Sequence, residues 1–135
     1  MAIAYSCILI AVLLPYLWTF CAKFGKSDDG IAQRYDNREP RAQQALLKGY
    51  RARANWAQLN AFEAMPGFIG AVLAAIQTGV PADRVDTAAL VFVVARVLHG
   101  VFYLANLAWQ RSAAWMVGLG AVIWLLVQAI LRVAG

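Results

Sequence analysis

The stretch Arg51–Pro66, RARANWAQLNAFEAMP, decides how this chain is read. It leaves a basic segment and enters an apolar one, carrying Arg53, Asn60 and Glu63 inward at spacings of seven and three. Those spacings place the three side chains on one face of a helix. A carboxylate within a hydrophobic helix is costly, so such residues face the interior of a helix bundle and pair there. Glu63 is therefore a candidate functional residue, with Arg96 as its expected partner.

The surrounding composition sets the solvent. Of 135 residues 62% are hydrophobic and 14% charged, with a mean hydropathy of +0.60, well above the roughly 45–50% apolar content of soluble domains. The chain reads as a single all-α domain over residues 1–135, an integral membrane four-helix bundle. Its net charge of +5 is not a nucleic-acid footprint. Lys23, Lys26, Arg34, Arg38, Arg41, Lys48, Arg51 and Arg53 lie in one region beside an apolar span, the pattern of a cytoplasmic loop under the positive-inside rule. Cys7 and Cys21 have no CxxC spacing, so they read as small buried hydrophobes.

Four spans are expected, at about 2–22, 41–78, 87–109 and 112–132, with a cytoplasmic loop at about 23–40. Met1 to Ala22 is uncharged and long enough to cross a ~30 Å hydrocarbon core at ~1.5 Å per residue. It lacks the basic start and small-residue cleavage site of a signal peptide. Pro15 predicts a kink in it, and Tyr16 and Trp18 are placed at the interface. The polar connection, punctuated by Gly25, Gly30 and Pro40, reads first as a solvated loop touching lipid headgroups and second as a substrate-binding loop. Gly79, Val80 and Pro81 are expected to end the second span, and PADRVD reads as a short non-cytoplasmic loop. In the third span Arg96, His99 and Tyr103 share a face. Gln110 and Arg111 form the next turn, and Ala114, Gly118 and Gly120 suit close helix contact in the fourth span, including contact between subunits. No repeat, Walker loop, dinucleotide fingerprint or Ser/His/Asp arrangement is present, and the single histidine leaves no multi-histidine metal site.

On this topology both termini lie outside. Glu63 lies roughly 10 Å from the cytoplasmic boundary, Arg96 near 20 Å, Tyr103 near the level of Asn60 and Glu63, and Arg111 beside Arg53 at the mouth. The result is a polar cleft with cations at its entrance and a Glu/Arg pair at its floor, suited to a small anionic ligand. The plainer reading of Asn60, Glu63, Arg96 and Tyr103 is a buried network that fixes helix register.

The motif NAFEAMP, preceded by RANWAQL, resembles the second-helix signature of the MAPEG family, the membrane-associated proteins in eicosanoid and glutathione metabolism. ARVLHGVFYLANL and the later Arg111-Ser112 resemble its microsomal glutathione transferase and prostaglandin E synthase branch, here as a bacterial-type member. The resemblance covers nearly the whole chain. It implies a homotrimer in the bacterial inner membrane, with glutathione as co-substrate bound between subunits in a site facing the cytoplasm. By position, Arg53, Asn60, Glu63, Arg96, His99 and Tyr103 would hold glutathione, with carboxylates on the arginines and the amine on Glu63. Arg111 would stabilise the glutathione thiolate, Ser112 assisting, for attack on a lipophilic small-molecule substrate reaching the site through membrane lipid. One residue departs from the pattern: Trp56 stands where the family has a second arginine. Arg51, one turn earlier, is the candidate substitute for that cation, and Trp56 itself reads as an interfacial anchor. The expected function is a glutathione-dependent membrane transferase or peroxidase. The alternative is a non-catalytic four-helix membrane protein, a small transporter or lipid-binding scaffold using the Glu63/Arg96 cleft.

Overall fold

The computed structural model describes residues 1–25 and 38–135. Most of the basic loop, including Gly30, lies outside the described residues. Among the described residues five helices follow in order: α1 (Ala2–Phe24), α2 (Pro40–Ala45), α3 (Gly49–Gln77), α4 (Ala82–Leu104) and α5 (Ala108–Ala134). Four of them, α1, α3, α4 and α5, are long and apolar enough to cross a membrane. The expected all-helical, four-span architecture is therefore present.

Several local features differ from expectation, and Gln110 and Arg111, expected as a turn before a span at 112–132, lie inside α5. The helix expected from 41 to 78 is broken at 46–48, where Lys48 is extended and Gly49 takes a φ of 56°. Glycine reaches that left-handed conformation without a Cβ penalty. The third span, expected at 87–109, runs instead from Ala82 to Leu104. Pro81 is its N-cap rather than the close of the preceding turn, and Asp83 lies in its first turn, where a carboxylate complements the helix dipole. The span ends in a turn at Asn106, with a φ of 59°, a conformation that asparagine adopts more readily than most residues. Finally, α1 runs unbroken through Pro15, and Thr19 Oγ1 donates to the Pro15 carbonyl at 2.9 Å.

The helices pack as a diamond. α3 and α4 touch each other and both flanking helices, whereas α1 and α5 make no contact among the described residues. Alanine dominates the seams, with Ala4, Ala11, Ala71, Ala75 and Ala89 buried around the stacked rings of Phe68 and Phe92, whose centroids are 3.9 Å apart. Small residues let backbones approach closely, and dispersion and packing contacts then hold helices that lipid does not push together. Trp18 is buried in a second cluster with Leu14, Ala57 and Ala61. Its indole lies over Gly100, where an added Cβ would overlap it. Trp18 is thus a packing residue and not an interfacial one, whereas Tyr16 is exposed. Leu13, Leu17 and Phe20 on α1 and Met116, Ile123 and Ile130 on α5 point outward, as lipid-facing surfaces do.

Charged side chains secure the helix ends. Asp86 of α4 accepts from the Ala4 amide at 2.9 Å and from the Met1 ammonium at 2.7 Å, at the start of α1. Arg51 of α3 donates Nε to the Ala22 carbonyl at 2.8 Å and an Nη to the Lys23 carbonyl at 2.9 Å, at its finish. Both placements complement the dipole of α1 and satisfy backbone groups that a helix leaves open at its ends.

Candidate functional site

The centre of the site is Arg96, on the face of α4 that meets α3. Its side chain is only 4% exposed. One Nη donates to Asn60 Oδ1 at 2.6 Å and to the Asn60 backbone carbonyl at 3.0 Å. Asn60 Nδ2 in turn donates to Glu63 Oε2 at 3.3 Å. The expected direct pairing of Glu63 with Arg96 is not formed: Asn60 stands between them, and among the described residues no Glu63 ion pair falls within 4.0 Å. The relay leaves Glu63 exposed and Arg96 Nε buried with no hydrogen-bond partner. The second Nη of Arg96 makes no hydrogen bond among the described residues and is not closed off as Nε is, so it is the nitrogen with donor capacity to spare.

The corrected span of α4 explains why these residues meet. Arg53 Nε donates to the Leu104 carbonyl at 3.3 Å, which levels α3 against the end of α4. Measured inward from that level by helical rise, Asn60 lies about 10 Å deep, Arg96 about 12 Å and Glu63 about 15 Å. The 20 Å depth expected for Arg96 followed from placing the helix end five residues too late.

A cavity of about 270 Å³ opens beside the relay, lined by Asn60, Glu63 and Arg96 and walled by Phe92, Trp115 and Leu119 among others. Gly67 lines it, and Gly118 borders the Arg96 side chain. Gly67 has nothing within 4 Å of where a Cβ would sit, and at Gly118 that position lies 3.4 Å from Arg96 Cδ. Gly118 thus leaves room for the arginine stem to pass α5. The sequence reading treated Gly118 only as a helix-packing residue. Trp115, one turn after Arg111 on α5, could have been found by carrying the Arg111 face forward by four.

A second cluster lies at the end of the bundle. His99 is 4% exposed and meets the Tyr103 ring edge-on, with centroids 5.1 Å apart. The Arg111 guanidinium lies over the same Tyr103 ring, 4.4 Å from its centroid, a cation–π geometry. Tyr103 is therefore a mouth residue beside Arg111 rather than a floor residue beside Glu63. Ser112 is exposed, and its hydroxyl donates to the Ala108 carbonyl at 3.1 Å. Arg53 holds the end of α4, and Arg51 holds the end of α1, so Arg51 does not replace the missing cation at Trp56. Trp56 is 51% exposed. Of the eight sequence-predicted residues, then, Asn60, Glu63 and Arg96 share the cavity, His99, Tyr103 and Arg111 form the mouth cluster, and Arg53 and Ser112 bond elsewhere. Among the described residues no group of three or more His, Cys, Asp or Glu side chains could hold a metal ion.

The arrangement presents a cation and a carboxylate, separated by a neutral amide, on one wall of a largely apolar cavity. Such a surface suits a small zwitterion or polyanion lying against an apolar molecule. Comparison with known proteins gives a match over residues 3–131 to the MAPEG family. No curated protein and no solved structure matches the chain. With nearly its whole length matched, the chain belongs to the MAPEG family, which includes glutathione transferases and related enzymes.

Proposed function

We propose that this protein is a glutathione-dependent membrane transferase or peroxidase. The observation that carries the reading is the Arg96–Asn60–Glu63 relay on the cavity wall. Glutathione bears two carboxylates, one protonated amine and a thiol. Arg96, through the Nη that does not bond Asn60, offers a carboxylate a charge-assisted hydrogen bond, and Glu63, exposed to the cavity, offers one to the amine. Asn60 keeps the two protein charges from neutralising each other. Arg111 supplies positive charge at the mouth, where it favours the thiolate over the thiol and so raises the fraction of the reactive nucleophile. Sulfur then attacks an electrophilic carbon to form a thioether while the leaving group departs. With a peroxide it attacks oxygen, the O–O bond breaks to release the alcohol and leave a glutathione sulfenic acid, and the thiol of a second glutathione displaces water from that sulfur to give the disulfide. The apolar wall of Phe92, Trp115 and Leu119 faces the lipophilic partner.

On this reading the chain works as a homotrimer in the bacterial inner membrane, glutathione entering from the cytoplasm into clefts between copies. The clustered Lys and Arg of residues 23–53 support that orientation, and the outward apolar face of α5 is available for subunit contact. The deciding experiment is calorimetric titration of reduced glutathione into the detergent-purified protein. Saturable binding is expected, weakened at least about tenfold in Glu63→Gln. Arg111→Ala should bind glutathione but lose most conjugation of a lipophilic electrophile. No binding at millimolar ligand would overturn the reading and favour a non-catalytic transporter or scaffold.

A further inference from the structure

At the end of the bundle away from Arg53 and Arg111, α4 and α5 enclose a larger groove, about 470 Å³, lined by Asp83, Arg84, Thr87, Val91, Gly120 and Trp124 among others. It is independent of the relay: none of its lining residues touches the Arg96 cavity. The fold does not account for Arg84. A cation in the first turn of a helix faces the positive end of the dipole, and among the described residues no carboxylate lies within 4.0 Å of this one. Asp83 is likewise without an ion pair among the described residues. Asp86, three residues further on, shows the contrast, since it is fully engaged at the start of α1.

We infer that this groove binds a phospholipid with an ethanolamine headgroup. Arg84 meets the phosphate, for which a guanidinium is the suited donor. The primary ammonium meets the Asp83 carboxylate and Thr87, whose hydroxyl donates to the Asp83 backbone carbonyl at 2.7 Å and so keeps its lone pairs for an incoming donor. One cation beside one anion complements a zwitterion. A purely anionic headgroup would face Asp83, and a trimethylated amine has no N–H to donate. From Asp83 to Val91 the groove runs eight residues, about 12 Å by helical rise, close to the ~15 Å of one leaflet's hydrocarbon. Its deeper lining is Ala88, Val91, Gly120, Ala121 and Trp124, a surface for an acyl chain that a free phosphate would not use. Trp124 lies where an aromatic ring can pack along that chain. Gly120 keeps the channel open, as a Cβ there would meet nothing within 4 Å.

Native mass spectrometry of the full chain, released from detergent, tests this directly. The probes are phosphatidylethanolamine, phosphatidylcholine and phosphatidylglycerol of identical chains, and inorganic phosphate. Retention is expected in the order ethanolamine, choline, glycerol, and should fall about tenfold in Arg84→Gln and in Gly120→Leu. A Cβ at Gly120 meets nothing within 4 Å, and leucine favours helix more than glycine does, so an unchanged melting transition in Gly120→Leu separates loss of lipid from loss of fold. Equal retention in Arg84→Gln would overturn the headgroup assignment. Competition by phosphate that persists in Gly120→Leu would mark an ion site instead. A change of oligomer mass in Gly120→Leu with lipid count unchanged would make the groove a subunit interface and sink the proposal.

Discussion

Arg51 and Arg96 are buried to the same extent, 4% exposed each, on neighbouring central helices. Their surroundings differ in kind. Arg51 places Nε and an Nη on two carbonyls at the end of α1, where the helix has backbone acceptors to spare. Arg96, which lines a cavity, is anchored through one Nη on a single asparagine, and its other Nη makes no hydrogen bond among the described residues. Burial and charge are equal in the two regions. What separates the two arginines is hydrogen-bonding capacity left over after folding.

The largest effect that this comparison implies belongs to Arg51→Ala. It strips two charge-assisted hydrogen bonds and leaves backbone carbonyls of α1 unpaired, so stability should fall by about 3 kcal/mol. Thermal denaturation in detergent reads this, with Arg51→Lys recovering part of the loss. If Arg51→Ala melted like the parent but bound glutathione more weakly, the division between the two arginines would be broken.

Arg96→Met should behave in the opposite way. Losing the buried charge removes its desolvation cost but leaves the Asn60 side-chain and backbone oxygens short of a donor, so the melting transition should fall by about 1 kcal/mol, well short of the Arg51→Ala loss. Glutathione affinity should nevertheless drop at least about tenfold. A marked loss of stability would place Arg96 with Arg51, as an element of the fold. A finer version is Gly118→Val. The added Cβ would come into contact with Arg96 Cδ at 3.4 Å, and the two Cγ methyls beyond it would crowd the guanidinium stem while leaving its charge, so affinity should fall severalfold, by about 1 kcal/mol, with the relay residues unchanged.

How much of this was legible beforehand follows from what each feature depends on. The four spans were readable because lipid imposes long apolar runs on any crossing helix. The ends of α4 were not, because Pro81 and Asn106 act through local backbone conformation while the charges in PADRVD mimic a loop. That five-residue error alone displaced Arg96 and Tyr103 in depth. Asn60, Glu63 and Arg96 were recognisable as polar residues sharing faces within apolar helices. The roles of Arg51 and Trp18 were not, since one depends on the end of α1 and the other on Gly100, and neither contact has a sequence signal of its own. Gly118 was visible as a small residue, but its purpose, room for Arg96, exists only across the α4–α5 seam.

The smallest expected effect concerns Trp56, the departure from the family pattern. Trp56, Asn60, Glu63 and Gly67 recur at steps of four, three and four, so Trp56 continues the cavity stripe of α3 toward the mouth. It is half exposed, and a cation there would act on a ligand carboxylate through water. Exposed ion pairs contribute about 0.2–1 kcal/mol. Trp56→Arg should therefore leave the melting transition within about 0.5 kcal/mol of the parent and strengthen glutathione binding about two- to fivefold at low salt. The gain should fade as ionic strength rises and the Debye length contracts. A salt-independent gain would mean that the new guanidinium is desolvated against the ligand and belongs with Arg96. A loss of affinity would mean that the indole itself lies against the ligand, and that an aromatic surface has taken the place of a charge at this end of the stripe.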